Sequence, residues 1–139
     1  QAPDIQAIRT SQAVYKIKSD IRYAQSYALA SQKMVRIDFD PSAERYSLYV
    51  EQAPGSWVLI ADPLTHKSFI VDFTESHYSG VNIVNTNFDG VNNDLAFDAA
   101  GEPYSYAGTA TALSAQGSVS LAGNVAIIVK QNTGKVSIQ

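Results

Sequence analysis

Residues 24–50 read AQSYALASQKMVRIDFDPSAERYSLYV, and this stretch decides the fold. Its first residues continue a helical period. From Val35 the period becomes two, with Val35, Ile37 and Phe39 alternating with Arg36 and Asp38, the pattern of a strand with one wet face. Asp40-Pro41-Ser42-Ala43-Glu44 is a turn, because Pro41 fixes φ and Asp and Ser favour local backbone bonds. Tyr46, Leu48 and Val50 form the returning strand. No glycine or proline marks the crossing, so a helix is expected to run directly into antiparallel sheet.

Upstream, nothing breaks a helix from Asp4 to about Gln32, and Pro3 sits where a helix start tolerates it. Val14, Ile17, Ile21, Ala24 and Ala28 recur at spacings of three and four and form one stripe. Ile5 and Ile8 do not continue it cleanly. The second half of the helix is therefore expected to dock on a core, with the first half less committed. At a rise of about 1.5 Å per residue the helix is roughly 40 Å long, enough to project. Ala24, Ala28 and Ala30 let a sheet approach closely.

Downstream, Pro54-Gly55 precedes Trp57-Val58-Leu59-Ile60, and Asp62-Pro63 interrupts before Phe69-Ile70-Val71-Asp72-Phe73. These runs predict an antiparallel meander. Residues 79–94 read as loop around a short strand from Val81 to Val84. Leu95-Ala96-Phe97 is a strand and Ala100-Gly101-Glu102-Pro103 a turn. Residues 105–124 carry little packing weight, with Val119 and Leu121 as the best strand candidates. Val125 to Val129 is the most apolar strand, and Asn132-Thr133-Gly134-Lys135 turns the chain into Val136-Ser137-Ile138. The expected fold class is α+β: one long N-terminal α-helix packed on antiparallel β-sheets of about eight to ten strands.

A chain of 139 residues with 45% apolar and 17% charged side chains makes one globular domain with a real core. It has no apolar run of membrane-spanning length. It begins Gln-Ala-Pro without a signal peptide or initiator Met, so a processed or trimmed chain is expected. The absence of cysteine excludes disulfides and cysteine-based zinc sites. The net charge of −3 hides an asymmetry: residues 1–36 hold six basic and two acidic side chains, a balance of +4, and residues 37–139 hold four and eleven, a balance of −7. A basic first third on an acidic body points to different surroundings for the two parts, although a solvated helix accounts for it equally well.

No catalytic constellation emerges. His66 and His77 lack a metal-ligand partner at helical spacing, no serine lies in G-x-S-x-G, and Gly134-Lys135 has Val129 where a phosphate loop needs glycine. Asp89, Asn92 and Asp94 offer oxygen ligands for calcium, but their spacing departs from the EF-hand loop and the same residues are favoured in turns. Asp38, Asp40 and Glu44 flank a turn, where carboxylates are ordinarily solvated. Tyr15, Tyr23 and Tyr27 among basic residues could stack on nucleic-acid bases, yet the acidic body argues against tight binding to phosphates, and DNA is not the expected partner. Neither an enzyme nor a bound cofactor or metal is expected.

Three segments resemble the GspH/FimT family of type IV pilin-like proteins. They are Ile21-Arg22-Tyr23-Ala24-Gln25-Ser26-Tyr27-Ala28 with the strand after it, Leu95-Ala96-Phe97-Asp98-Ala99-Ala100-Gly101-Glu102-Pro103, and Ile127-Ile128-Val129 followed by Thr133-Gly134-Lys135-Val136. The resemblance spans nearly the whole chain and implies a single pilin-like domain, with a helical stalk at 1–32 and a β-rich head at 33–139. It also implies a leader cut by a prepilin peptidase and an apolar helix upstream of residue 1. The implied role is a structural minor pseudopilin near the tip of a type II secretion pseudopilus. Its head would be periplasmic and the protein anchored in the bacterial inner membrane before assembly. The implied partners are other major and minor pilin-like subunits. Ile5 and Ile8, off the buried stripe, are the expected apolar contacts, and the basic stretch Lys16, Lys18 and Arg22 is expected either to pair with acidic faces of neighbours or to lie near anionic lipid before extraction. A minor pilin of a type IV pilus, serving assembly, adhesion or DNA uptake, is the alternative. The arginine-rich C-terminal tail of DNA-uptake relatives has no counterpart before Gln139. A carbohydrate-binding β domain using Trp57 and its neighbouring tyrosines is a reading of a different class.

Overall fold

The computed structural model describes residues 4–89 and 94–139; Pro3, at the expected helix start, and Asn92, in the calcium loop, fall outside them. Helix α1 spans Ile5–Ser31. The Asp4 side chain caps it by accepting from the Ala7 N–H at 3.1 Å. Its buried stripe is Ala13, Val14, Ile17, Asp20, Ile21, Ala24 and Ala28, containing every stripe residue expected from spacing.

The exit from α1 answers how a helix enters sheet without glycine. Gln32 takes the left-handed conformation itself, at φ 58°, and its N–H bonds to the Ala28 carbonyl. That conformation costs a non-glycine residue about 1–2 kcal/mol. The Gln32 side chain offsets part of the cost by donating to the carbonyls of Leu29 at 2.8 Å and Ala99 at 3.2 Å. A residue whose side chain can satisfy the carbonyls at a helix end thus replaces the usual glycine.

The strands, in chain order, are β1 Val35–Asp40, β2 Arg45–Ala53, β3 Ser56–Leu59, β4 Ile70–Asp72, β5 Ile83–Asn87, β6 Asp94–Phe97, β7 Pro103–Tyr106, β8 Ala110–Ala112, β9 Gly117–Leu121, β10 Val125–Val129 and β11 Val136–Ile138. A seven-stranded sheet runs β3-β2-β1-β6-β7-β8, with β4 also paired to β2, and a four-stranded sheet runs β11-β10-β9-β5. All pairings are antiparallel. In the β1–β2 ladder Val35 faces Val50, Ile37 faces Leu48 and Phe39 faces Tyr46, so one side of both strands is apolar and buried. Helix α1 packs on β1 and β6 of the larger sheet and on β10 and β11 of the smaller. One contiguous core joins Ile17 and Ile21 to Leu48, Leu95, Phe97, Val119 and Ile127. Each such side chain contributes about 1.5–3 kcal/mol by leaving water.

The observed topology corrects the expected meander. Strand β2 is nine residues long and pairs β3 through Tyr49–Ala53 and β4 through Arg45–Ser47 on the same edge. The chain between them is pinned where Ile60 N–H bonds the Leu48 carbonyl and Leu48 N–H bonds that of Phe69. The other edge of β1 is taken by β6, distant in sequence. The short strand expected at 81–84 lies instead at Ile83–Asn87, held by its ladder with β9, and Val81 is buried in the preceding turn. Residues 105–124 also carry more than expected: β8 and half of β7 fall here, and Ser105 and Leu113 are buried. Neither strand announces itself, because β7 opens on Pro103 and all of β8 is exposed.

Candidate subunit interface

Opposite its buried stripe, α1 turns a second stripe to solvent. Ile8, Tyr15, Arg22 and Leu29 recur every seven residues, with Gln12, Ser19 and Ser26 between them, and all seven are exposed. Spacings of four and three keep them on one side of the helix. Ile5, Ile8, Tyr15 and Leu29 are among the large apolar side chains left exposed, Tyr15 at 63%. The helix therefore has a core face and a free face.

The residues expected from sequence divide between these faces. Ile5 and Ile8 are exposed as anticipated. The early turns still touch the body, since Arg9 Nη1 donates to the Ser79 carbonyl at 3.1 Å. Lys18 and Arg22 lie one turn apart and, with Tyr15 and Ser19, line a shallow hollow of about 250 Å³. None of the ion pairs among the described residues involves either cation. Like charges at this spacing repel by a few tenths of a kcal/mol on a helix surface.

Lys16 does not belong with them. Its Nζ reaches back to the Asp20 carboxylate at 3.2 Å and sits 5.4 Å from the centre of the Phe69 ring. Asp20, four residues on, claims it for the interior. Tyr15 and Leu29 lie on the free face as well, although neither is among the contact residues expected from sequence. Counting seven and twenty-one residues from Ile8 finds both.

A second cluster lies on the outer face of the larger sheet. The Arg36 guanidinium is 4.6 Å from the Tyr49 ring centre, 4.9 Å from that of Trp57 and 5.3 Å from that of Tyr106. It bonds Asp94 at 2.7 Å and approaches Asp38 at 3.7 Å. Trp57 Nε1 donates to the Tyr106 hydroxyl at 3.1 Å, closing the cage from strands β3 and β7. Burial pushes the Asp94 carboxyl up to about 6; the Arg36 bond opposes this and the Asp38 charge adds to it. The Trp57 indole, the residue of the alternative carbohydrate-binding reading, is half-buried and packs against the Arg36 guanidinium.

The remaining sequence candidates do not come together. Asp89 accepts from the Ser114 N–H and hydroxyl, both at 2.9 Å, and Asp94 holds Arg36. Among the described residues no three His, Cys, Asp or Glu side chains gather as a metal centre requires. His66 and His77 are exposed. Asp40 caps the turn after β1, and Glu44 accepts from the backbone N–H of Ile83. No described helix is long and apolar enough to cross a membrane.

Neither a protein-family model nor a curated protein matches the sequence. Solved structures do match the fold. The minor pseudopilin EpsH from the Type 2 Secretion System of Vibrio cholerae superposes with a TM-score of 0.67 at 12% identity, over 94% of this chain and 92% of that one. The type IV minor pilin FimU of Pseudomonas aeruginosa superposes with a TM-score of 0.55 at 18% identity, over 99% and 92%. The fold is that of a type IV pilin-like protein, with one long helix packed on antiparallel sheets.

Proposed function

We propose that this chain is a structural, non-catalytic pilin-like subunit that joins other pilin-like subunits at or near the tip of a type II secretion pseudopilus. The observation that carries the reading is the free face of α1, where Ile8, Tyr15 and Leu29 stay in water although the opposite face is fully buried. A lone domain gains nothing from this exposure, whereas a helix among neighbouring helices buries it. On this reading an apolar segment preceding residue 1 anchors the precursor in the inner membrane and later enters the filament. The role of the β-rich body is to hold the helix at a fixed angle.

The reading is tested with Ile8→Asp and Tyr15→Asp in the full precursor, scoring co-purification with the other minor subunits and secretion of cargo. Both functions should fall while the melting temperature of the domain stays within a few degrees. Wild-type association in both variants would remove α1 as the assembly element. Restoration of pilus-dependent motility, but not of secretion, in the matching deletion strains would move the protein to a pilus.

A further inference from the structure

The hollow at Lys18 and Arg22 is one half of a larger surface. A groove of about 560 Å³ lies beside it, between the first turns of α1 and the chain around Asn82, Ala122, Val125 and Ile138. On the helix side it is lined by Ala7, Ser11 and Val14, and Tyr15 is the wall shared with the cationic hollow. Ala7, Ser11, Tyr15, Lys18 and Arg22 follow spacings of four, four, three and four. They therefore fall on one side of the helix, and groove and hollow form one continuous surface. Their centres are about nine residues apart along α1, or roughly 13 Å.

The two ends differ in charge. Exposed Asp4 stands at the far end of the groove, and the only charged side chains of the hollow are Lys18 and Arg22. Lys16 adds no cation to this surface because Asp20 neutralises it. A segment lying here thus meets a trough with Val14, Val125 and Ile138 as its apolar wall among polar Gln6, Thr10 and Asn82, then an aromatic ridge, then two adjacent cations without a carboxylate.

We infer that the partner seated on this side of α1 is a helix carrying an apolar side chain and a carboxylate two turns apart, the apolar group in the groove and the carboxylate between Lys18 and Arg22. The inference rests on the assembly reading and adds the chemistry and polarity of the neighbour. Two turns of a partner helix, seven or eight residues, cover roughly 11–12 Å, close to the separation of the two subsites. The carboxylate relieves the repulsion between the two cations, and the opposite orientation would set it against Asp4. Tyr15, rigid and exposed between the subsites, is the anchoring contact.

The test uses two synthetic helical peptides that differ at one position, one with Leu and Glu seven residues apart and one with Leu and Lys. Each is titrated into the isotope-labelled domain at low and high salt, and amide shifts are followed by NMR. The Leu/Glu peptide should shift signals of Tyr15 to Arg22 and of residues 122–125. It should bind about threefold more tightly than its Lys counterpart at low salt, an advantage that fades as salt rises. The paired substitution Lys18→Glu with Arg22→Glu should invert the preference. Equal shifts from both peptides, no shifts from either, or shifts centred on the Arg36 cage would overturn the docking mode. If these peptides fail while Tyr15→Asp still abolishes co-purification, the assembly reading stands and only the partner chemistry is wrong.

Discussion

Tyr46 Oη donates to Asp20 Oδ2 at 2.6 Å and ties the middle of α1 to the start of β2. Both side chains are almost fully buried, and the other Asp20 oxygen takes Lys16 at 3.2 Å. Burial raises the Asp20 carboxyl above its usual 3.8, with the Tyr46 bond and the Lys16 charge opposing it. The native chain therefore keeps this proton over a range where the unfolded chain has lost it. The contribution of Asp20 to stability is greatest below the unfolded value and declines as pH rises through the folded one. Tyr46→Phe keeps the ring against Phe73 but leaves a buried carboxylate oxygen without its donor. Urea unfolding should show a loss of about 2 kcal/mol at neutral pH. The loss should shrink in acid, as Asp20 becomes protonated and needs the donor less.

Gln25 joins the three segments that resemble the pilin-like family. Its Nε2 donates to the Gly101 carbonyl at 2.9 Å and to the Thr133 carbonyl at 3.0 Å, linking α1, the turn after β6 and the turn after β10. Gly134 makes room for it. A Cβ there would lie 2.7 Å from Gln25 Nε2 and 2.9 Å from Phe97, at a φ of +70°. Gly134→Ala should cost about 2–3 kcal/mol, from left-handed strain and from displacing Gln25. Gln25→Ala should cost about 1–2 kcal/mol. In thermal melts the double variant should lose less than the sum, because Gly134→Ala already breaks the Gln25 contacts.

The Arg36 cage titrates. With Asp94 raised to about 6, the folded chain holds a proton that the unfolded chain gives up near 3.8. Stability due to this group is full below pH 4 and declines as pH rises towards 6. The charged groups facing Asp94 are Arg36 and Asp38, and Tyr49, Trp57 and Tyr106 close around the guanidinium. Trp57 is the only tryptophan, so its emission reports on the cage. A pH titration of fluorescence should show a transition centred near 6, absent in Asp94→Asn. Persistence of the transition in that variant would assign it to another group.

The parts of this fold that were legible in the sequence are those fixed by neighbours along the chain. The change of period at Val35 and the stripe from Val14 to Ala28 are local facts, and both stand in the structure. Which edge a strand takes is not local: nothing in Ile70-Val71-Asp72 says that it shares an edge of β2 with β3. Strand β8 has no period to read, because Ala110, Thr111 and Ala112 are all exposed and only pairing with β7 holds them extended. The interface follows the same division. Ile5 and Ile8 were legible as residues off the buried stripe, and Lys18 and Arg22 as part of a basic stretch. The pairing of Lys16 with Asp20 one turn away separates it from Lys18 and Arg22, and the groove beside Tyr15 depends on loops that no helical period describes.

Gly117 supplies a case where space alone decides the residue. It opens β9 and faces Val129 in the ladder, without the left-handed φ that glycine usually serves. A Cβ at this position would lie 2.6 Å from Phe88 Cε1 and 3.2 Å from the Asn87 carbonyl. Phe88 cannot swing aside. Its ring is fully buried and stacks 6.2 Å from that of Phe39, and its carbonyl holds the Ser105 hydroxyl at 3.0 Å. Gly117→Ala should therefore destabilise by about 1–3 kcal/mol through overpacking. Phe88→Leu alone leaves a cavity and should cost on the order of 1–2 kcal/mol. Combining them lets the new methyl group use the space vacated by the ring. The double variant should then unfold at a higher denaturant concentration than the two separate losses predict, a coupling of about 1 kcal/mol. A neutral Gly117→Ala would mean that the Phe88 ring has another well-packed position, and the account of this corner of the core would fail with it.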